Sequence, residues 1–247
     1  MPQASIAIFA ALADEIRILR SKMQIDESVH VRPSRIDRGT YDEKNIIVVR
    51  TGIGQKAMAK AAAYCIDNFN PKACINVGYC GGSTPDIGTG DLVIAERVVH
   101  DETGEELVCS SDLIDNSKKI CSDRELRSTV GGVVTVDHVV SGPHDKAYLG
   151  TKNNSCAVDM ESFAFAKECN ERGVPFAVVR ACLDPMDMLL PDLEGAVDEE
   201  GRTDITGAVK KMIQKPKTIL AIPRIEYCAV QAREAIDEFL KGIIGSL

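Results

Sequence analysis

Three acidic residues stand where predicted strands or helices begin or end. Glu15 follows the apolar segment 6–10, Glu161 opens a segment of helical period, and Asp184 ends the apolar run 174–183. In an open α/β sheet, ligands collect at the carboxyl ends of the strands, because loops and helix N-termini meet there. Carboxyl groups that share one cleft can serve as general acid and general base. The three acids are therefore candidate catalytic residues.

Each acid also has a simpler interpretation. Glu15 and Glu161 could be acids of a first helical turn, which the helix dipole stabilises. Asp184 precedes Pro185, and an aspartate before a proline is common in turns. Only the occurrence of all three in one ordered pattern favours catalysis.

Apolar runs of strand length alternate with segments of helical period along the chain. Strands are predicted at 6–10, 45–50, 72–77, 91–99, 132–140 and 174–183, and helices at 12–23, from 55 to about 68, and from about 160 to 172. This alternation predicts an α/β fold: a single domain, residues 1–247, with a central mixed β-sheet flanked by helices on both faces. From about residue 185 we expect an extension, with a loop over 184–204 and helices at 205–213 and 217–241.

Composition excludes several classes of protein. There are 29 Lys and Arg against 37 Asp and Glu, for a net charge of -8, which argues against polymeric nucleic acid as a partner. No apolar stretch approaches the roughly 20 residues that a membrane span needs. The apolar run near the N-terminus meets Asp14 too early for a signal peptide, so a cytoplasmic location is expected.

The cysteines and glycines indicate neither a metal nor a cofactor. Nine cysteines with no C-x-x-C pair are typical of buried thiols in a reducing compartment, and no Cys/His spacing fits zinc. Gly52 and Gly54 form half of a dinucleotide fingerprint, without its third glycine. Gly78, Gly81 and Gly82, in a predicted loop after the third strand, would let backbone amides approach a ligand closely.

Six segments, in their order and spacing, resemble the nucleoside phosphorylase and nucleosidase superfamily. They are Ala11-Leu12-Ala13-Asp14-Glu15, Thr51-Gly52-Ile53-Gly54, residues 75–82 (INVGYCGG), Gly90-Asp91-Leu92-Val93, Ala157-Val158-Asp159-Met160-Glu161 and residues 178–184 (VVRACLD). The resemblance covers about residues 5–185 and is greatest to the 5′-methylthioadenosine/S-adenosylhomocysteine nucleosidases. It implies cleavage of an N-glycosidic bond in a small-molecule nucleoside, with release of adenine from a 5′-substituted adenosine.

The resemblance also implies a role for each residue. Asp184 would be the acid that protonates the purine, Glu15 the base that orients water, and Glu161 the acceptor of ribose hydroxyls. Met160 would pack on the sugar, Gly81, Val139 and Val140 would form the base pocket, and Tyr79 and Cys80 would lie near the anomeric carbon. An apolar strand leading into Asp184 would raise its pKa, as an acid near neutrality requires. Arg180, four residues earlier on the same strand face, would lower it if the two side chains lay close together.

The chain departs from the nucleosidase pattern at three positions. Val139 stands where the family usually places a Phe against the purine, Asp159 replaces a Glu, and Leu183 replaces a Ser before the acid. Aromatic stacking on the base is therefore absent from this interpretation. Other contacts with the purine, or contacts with an unusual 5′-group, would have to supply the binding energy.

Three functions remain open. Water is the favoured nucleophile, because neither 11–15 nor 78–82 contains the arginine that phosphate-dependent relatives use. A phosphorylase is the second possibility; segments 184–191 and 200–204 resemble, more weakly, the hopanoid-associated phosphorylases, which are thought to act on adenosylhopane. The third is a nucleoside-binding relative without catalysis. The resemblance also implies a homodimer.

Overall fold

A mixed sheet with helices on both faces forms the protein. The structure, a computed structural model, describes residues 6–190 and 216–246. The strands in this part are β1 (Ile6–Ala10), β2 (Gln24–Val31), β3 (Ser34–Tyr41), β4 (Lys44–Arg50), β5 (Ala73–Gly82), β6 (Leu92–His100), β7 (Glu106–Val108), β8 (Ser128–Thr135), β9 (Ala157–Asp159) and β10 (Phe176–Asp184). The helices are α1 (Arg17–Lys22), α2 (Gln55–Phe69), α3 (Ser111–Asp123), α4 (Pro143–Asn153), α5 (Ser162–Glu171) and α6 (Pro216–Gly245).

The sheet has the order β10-β6-β8-β9-β5-β1-β4-β3-β2, and β7 pairs with β6. Strand β10 also pairs with β5, so that β5, β10, β6, β8 and β9 form a closed ring of pairings. Pairs β1–β4, β1–β5 and β5–β10 are parallel, whereas β10–β6, β5–β9 and β3–β4 are antiparallel. The prediction of a central mixed sheet is confirmed.

Two apolar clusters fill the space between the sheet and its helices. One contains Met58 of α2 and Phe165 of α5, which pack against residues such as Phe9. The other contains Leu19 of α1 and Phe239 of α6 on the opposite side. Helices therefore cover both faces, as predicted. Within residues 6–190 and 216–246, no helix combines the length and the apolar composition that a bilayer-spanning segment requires.

Several element boundaries differ from the predictions. Strands 6–10 and 45–50 are confirmed as β1 and β4, but the predicted helix 12–23 is helical only from Arg17, because residues 12–16 form turns. The β2–β3 hairpin was not predicted; its edge strand β2 is mostly exposed and lacks an apolar run. The predicted helix 217–241 is part of α6, whereas the predicted helix 205–213 and the segment 200–204 lie outside the described residues.

Two corrections concern the edge of the sheet where the site was predicted. The glycine segment 78–82 is not a loop, because β5 runs through Gly82 and pairs there with both β10 and β9. Strand β8 was predicted to end at 140, but it ends at Thr135, which pairs with the last residue of β9, Asp159. Val139 and Val140 therefore lie in the connection to α4 rather than on a strand.

Candidate active site

Glu15, Glu161 and Asp184 line one cleft of about 220 Å³. Glu15 lies in the turn after β1, Glu161 immediately precedes α5, and Asp184 is the last residue of β10. All three are buried, with 5 %, 7 % and 4 % of their surfaces exposed. The structure thus brings together three acids from distant parts of the chain.

The carboxylate of Glu15 is held by two backbone amides. The Leu12 N–H donates to Oε2 at 2.8 Å and the Tyr79 N–H donates to Oε1 at 2.9 Å. Burial raises the pKa of Glu15, while these two hydrogen bonds and the charge of Arg180 act in the opposite direction. The bond to Leu12 also holds residues 12–15 in a turn, which explains the late start of α1.

Glu161 is anchored from the α2 side of the cleft. The Gly54 N–H donates to Glu161 Oε1 at 2.7 Å, and Gly54 has φ +91°, a backbone conformation that favours glycine. Among the described residues, nothing donates a hydrogen bond to Oε2, which leaves that oxygen for a ligand. Burial raises the pKa of Glu161, and the nearby charge of Asp159 raises it further, whereas Arg180 lowers it.

Asp184 lies beside Gly81 of β5 and beside a lysine from α4. Asp184 and Gly81 are paired in the β5–β10 register, and a Cβ added to Gly81 would lie 3.3 Å from Asp184 Oδ2. The Lys146 Nζ lies 2.5 Å from the same Oδ2. Burial raises the pKa of Asp184 to about 6, although Lys146 acts to lower it. The pKa is thus raised, as the sequence predicted, and the opposing charge comes from Lys146.

Arg180 is bound below the cleft by a different carboxylate. Its Nη2 lies 2.7 Å from Asp159 Oδ2, and its side chain donates further hydrogen bonds to Ser162 Oγ and to Asn76 Oδ1. Asp159 also accepts from the Thr135 hydroxyl at 2.7 Å. Asp159, at the position where the family usually places a Glu, is therefore the partner of a buried arginine.

The other predicted site residues all line the same cleft: Met160, Gly81, Val139, Val140, Tyr79 and Cys80. Val139 is 42 % exposed, whereas Val140 packs in a small cluster beside Met160. Tyr79 contributes its backbone to the site, since its hydroxyl donates to Asp14 Oδ2 at 2.8 Å and Arg233 pairs with that carboxylate at 2.9 Å. Burial raises the pKa of the Cys80 thiol well above its usual value, which disfavours a nucleophilic thiolate.

Sequence reasoning missed the role of several residues. Leu12, Ile53, Leu183 and Leu190 form much of the apolar lining, and their apolar type alone could not separate them from core residues. Met188 and Leu190 are buried, while Leu189 is 69 % exposed. Lys146 was missed because it lies in the unpredicted helix α4, far from Asp184 along the chain.

The lining is acidic and apolar. It includes four carboxylates, those of Glu15, Asp159, Glu161 and Asp184, and none of the described residues that line it is a lysine or an arginine. His138 lies at its exposed edge, paired with Asp137 at 2.8 Å. A neutral ligand with hydroxyl and amide-like donors suits such a cleft better than an anion does.

A mixed β-sheet flanked by helices, with a carboxylate-lined cleft at the ends of β1, β5 and β10, defines the class: an α/β protein that binds a small polar molecule. The family model described as "Phosphorylase superfamily" matches residues 5–217. The chain belongs to the phosphorylase superfamily.

Known proteins agree with this assignment. The chain is 29 % identical over 195 residues, 72 % of this chain and 83 % of the relative, to the 5′-methylthioadenosine/S-adenosylhomocysteine nucleosidase of Geobacillus thermodenitrificans. The crystal structure of the Colwellia psychrerythraea nucleosidase in complex with adenine superposes with a TM-score of 0.77 at 22 % identity, over 99 % of this chain and 96 % of that one. The futalosine hydrolase of Helicobacter pylori superposes with a TM-score of 0.73 at 20 % identity, over 96 % and 97 %. At these identities, the two structures support the fold.

Proposed function

We propose that the protein is a purine nucleosidase that releases adenine from a 5′-substituted adenosine by general acid–base catalysis. The observation that carries this proposal is the convergence of Glu15, Glu161 and Asp184, all buried, on one cleft. A ligand-binding protein without catalysis has little use for three buried acids with raised pKa values. The Geobacillus relative, named for this activity, supports the same reaction.

Asp184 is the general acid. A carboxyl group with a pKa of about 6 is partly protonated near neutrality, so it can give its proton to the purine as the C1′–N9 bond breaks. The electron pair of that bond leaves with the base, and the ribose carries the positive charge. Proton donation of this kind is typically worth about 10² to 10⁴ in rate.

Glu15 is the general base. Asp184 is in register with Gly81, whereas Glu15 contacts the Gly78 position, three residues or about 10 Å further back along β5. The two groups can therefore serve different parts of one nucleoside. Glu15 accepts a proton from the water whose oxygen bonds to C1′, so that the products are adenine and the free sugar.

Glu161 holds the ribose. Its Oε1 is fixed by Gly54, and its Oε2 is available to accept a hydroxyl hydrogen bond. Such a hydrogen bond contributes about 0.5–1.5 kcal/mol to a neutral carboxyl group and about 1.5–3 kcal/mol to an ionised one. Met160, beside it, packs on the apolar side of the sugar.

Water is the nucleophile that this cleft favours. Phosphate would enter a lining with four carboxylates and, among its described residues, no lysine or arginine. The apolar residues Leu12, Ile53 and Leu190 suit an apolar 5′-group and the faces of the purine, in place of the missing aromatic residue. Leu183 and Leu190 belong both to a small apolar cluster and to the lining of the cleft, which is compatible with a long apolar 5′-group as well.

The assembly and location follow as proposals. We infer a homodimer, the commonest symmetric oligomer. We infer the cytoplasm as the location, since the nine cysteines are all free thiols and eight of them are buried, as in proteins of a reducing compartment.

The test is adenine release from 5′-methylthioadenosine, S-adenosylhomocysteine and an adenosine with an apolar 5′-group, each with and without phosphate. We expect adenine and the free sugar without phosphate. Strict phosphate dependence with a ribose 1-phosphate product would establish the phosphorylase instead. Calorimetric binding of these compounds without turnover over hours would establish a binding protein.

A further inference from the structure

Lys146 is a fully buried lysine on α4, with 0 % of its surface exposed. Its neighbours along the helix, His144 and Asp145, have side chains that are 95 % and 74 % exposed. Lys146 therefore points inward where the adjacent residues point to solvent. Burying an ammonium group is costly unless charge and hydrogen bonds compensate it, so the contacts of this side chain need an explanation.

Among the described residues, every polar contact of the Lys146 ammonium is made with Asp184 or with the segment that follows it. The ammonium lies 2.5 Å from Asp184 Oδ2, and it donates hydrogen bonds to the carbonyls of Pro185 at 3.0 Å and Met188 at 2.8 Å. One side chain thus holds both the carboxyl group and the backbone that turns away from it. The carboxyl group would otherwise rest at the free end of β10, without a hydrogen-bond donor in the described residues to orient Oδ2.

Among the described residues, Lys146 is the only charged group placed to orient the Asp184 carboxyl group. From β5 and β10, the ionisable groups that face Asp184 are the thiols of Cys80 and Cys182, and burial raises the pKa of both, so both are neutral. Arg180, on the same strand, binds Asp159 at 2.7 Å. Asp187, in the segment after the acid, is exposed.

We propose that Lys146 is the positioning residue of the general acid: it fixes the Asp184 carboxyl group toward the cleft and balances the negative charge left when the proton has moved to the purine. The proposal rests on the proposed function. In the step concerned, the Asp184 O–H bond breaks, an N–H bond forms on the leaving purine, and the carboxylate pairs with the Lys146 ammonium. Water then returns the proton to Asp184.

The pairing has a consequence for pH dependence that a purely structural contact lacks. An adjacent ammonium favours the ionised carboxylate and so lowers the pKa of Asp184. Only the protonated form can act as the acid, so activity falls above that pKa. A variant without the ammonium has a less well-placed acid, but it keeps that acid protonated to higher pH. The activity of such a variant, relative to wild type, therefore rises with pH.

The test compares kcat/KM for adenine release from 5′-methylthioadenosine between pH 5 and 9 in the wild type and in Lys146→Met. At pH 5 to 6 we expect Lys146→Met to be about 10- to 100-fold slower, because about 1 Å of misplacement costs up to about 10² in rate. We expect its alkaline limb to lie at least about one pH unit higher, so that the ratio of variant to wild type rises about tenfold by pH 8. Lys146→Arg, which retains the charge, should keep the wild-type limb.

Two further variants keep the test decisive. Lys152→Met, on the same helix but partly exposed and paired with Asp101, should retain the wild-type profile. If Lys146→Met does not fold, Lys146→Gln, which can still donate to the loop carbonyls without a charge, replaces it, with the same shift expected. A ratio that stays constant across the pH range, or a neutral variant as active as wild type, would overturn the role of Lys146. Absence of adenine release by the wild type, or full activity of Asp184→Asn, would instead overturn the proposed function.

Discussion

Arg180 pairs with Asp159, at 2.7 Å, and not with Asp184, which lies four residues further along the same strand. Both partners are buried, and Asp159 also accepts hydrogen bonds from Thr135 and Ser162. A shift in the β5–β10 register between Cys182 and Asp184 accompanies the separation of the arginine from the acid. Consequently, the positive charge of Arg180 acts on Glu15 and Glu161, where it favours the ionised forms, and leaves Asp184 free to hold a proton.

Asp159→Asn should destabilise the fold strongly. Removal of one partner from a buried ion pair leaves an uncompensated charge and costs about 3–5 kcal/mol. We expect that loss in the free energy of unfolding, measured by denaturant titration. The control is Asp115→Asn, whose exposed pair with Lys118 should contribute less than about 1 kcal/mol. A free energy for Asp159→Asn within about 0.5 kcal/mol of wild type would refute the structural role of this pair.

Glu161→Gln should weaken the binding of the ribose hydroxyls. Because a hydrogen bond contributes about 0.5–1.5 kcal/mol to a neutral carboxyl group and about 1.5–3 kcal/mol to an ionised one, kcat/KM for a ribonucleoside should fall by about 2- to 150-fold. The same change should matter much less for at least one of the 2′- and 3′-deoxy analogues, namely the one that lacks the hydroxyl that Glu161 binds. Glu171→Gln, at the other end of α5 and exposed, serves as the matched control. An equal loss for all sugars would argue against hydroxyl binding by Glu161.

Gly81→Ala should impair catalysis through the acid. An added Cβ would lie 3.2 Å from Val158 Cγ1 and 3.3 Å from Asp184 Oδ2, so the acid must shift. We expect kcat/KM to fall by about tenfold to 100-fold, with little change in Tm. Gly82→Ala is the comparison, since its Cβ would make ordinary contacts of 3.4 Å with Cys182 and Ile87. Identical kinetics for the two variants would contradict a close approach at Gly81.

Sequence alone predicted the elements whose apolar pattern reaches the core. Strand β1 is buried throughout, and β4 and β6 each contain a run of four buried residues, at 46–49 and 92–95. The α/β layering followed from the alternation of these runs with helices. The β2–β3 hairpin was not predicted, because its edge strand β2 is mostly exposed and carries no comparable pattern. The limits of β5 and β8 were wrong because they depend on where partner strands end, which is a property of the pairing and not of the segment.

The acids of the site could be found from sequence because each one stands at the end of an element. Lys146 could not, since neither its neighbours in α4 nor its position reveals that its ammonium meets Asp184 across the fold. For the same reason, strand spacing placed Arg180 on the same face as Asp184 but could not show that the arginine pairs with Asp159. Contacts between distant segments decide the electrostatics of this cleft.

Replacement of the acid itself tests the account most directly. Adenine release by Asp184→Asn should be measured with the best substrate of the panel, beside Asp187→Asn, which alters an exposed aspartate three residues further on. Circular dichroism and calorimetric binding of an adenosine analogue establish that each variant is folded and binds. We predict that Asp184→Asn loses about 10² to 10⁴ of kcat while Asp187→Asn retains wild-type activity. A folded, ligand-binding Asp184→Asn protein within about threefold of the wild-type rate would contradict general acid catalysis by Asp184.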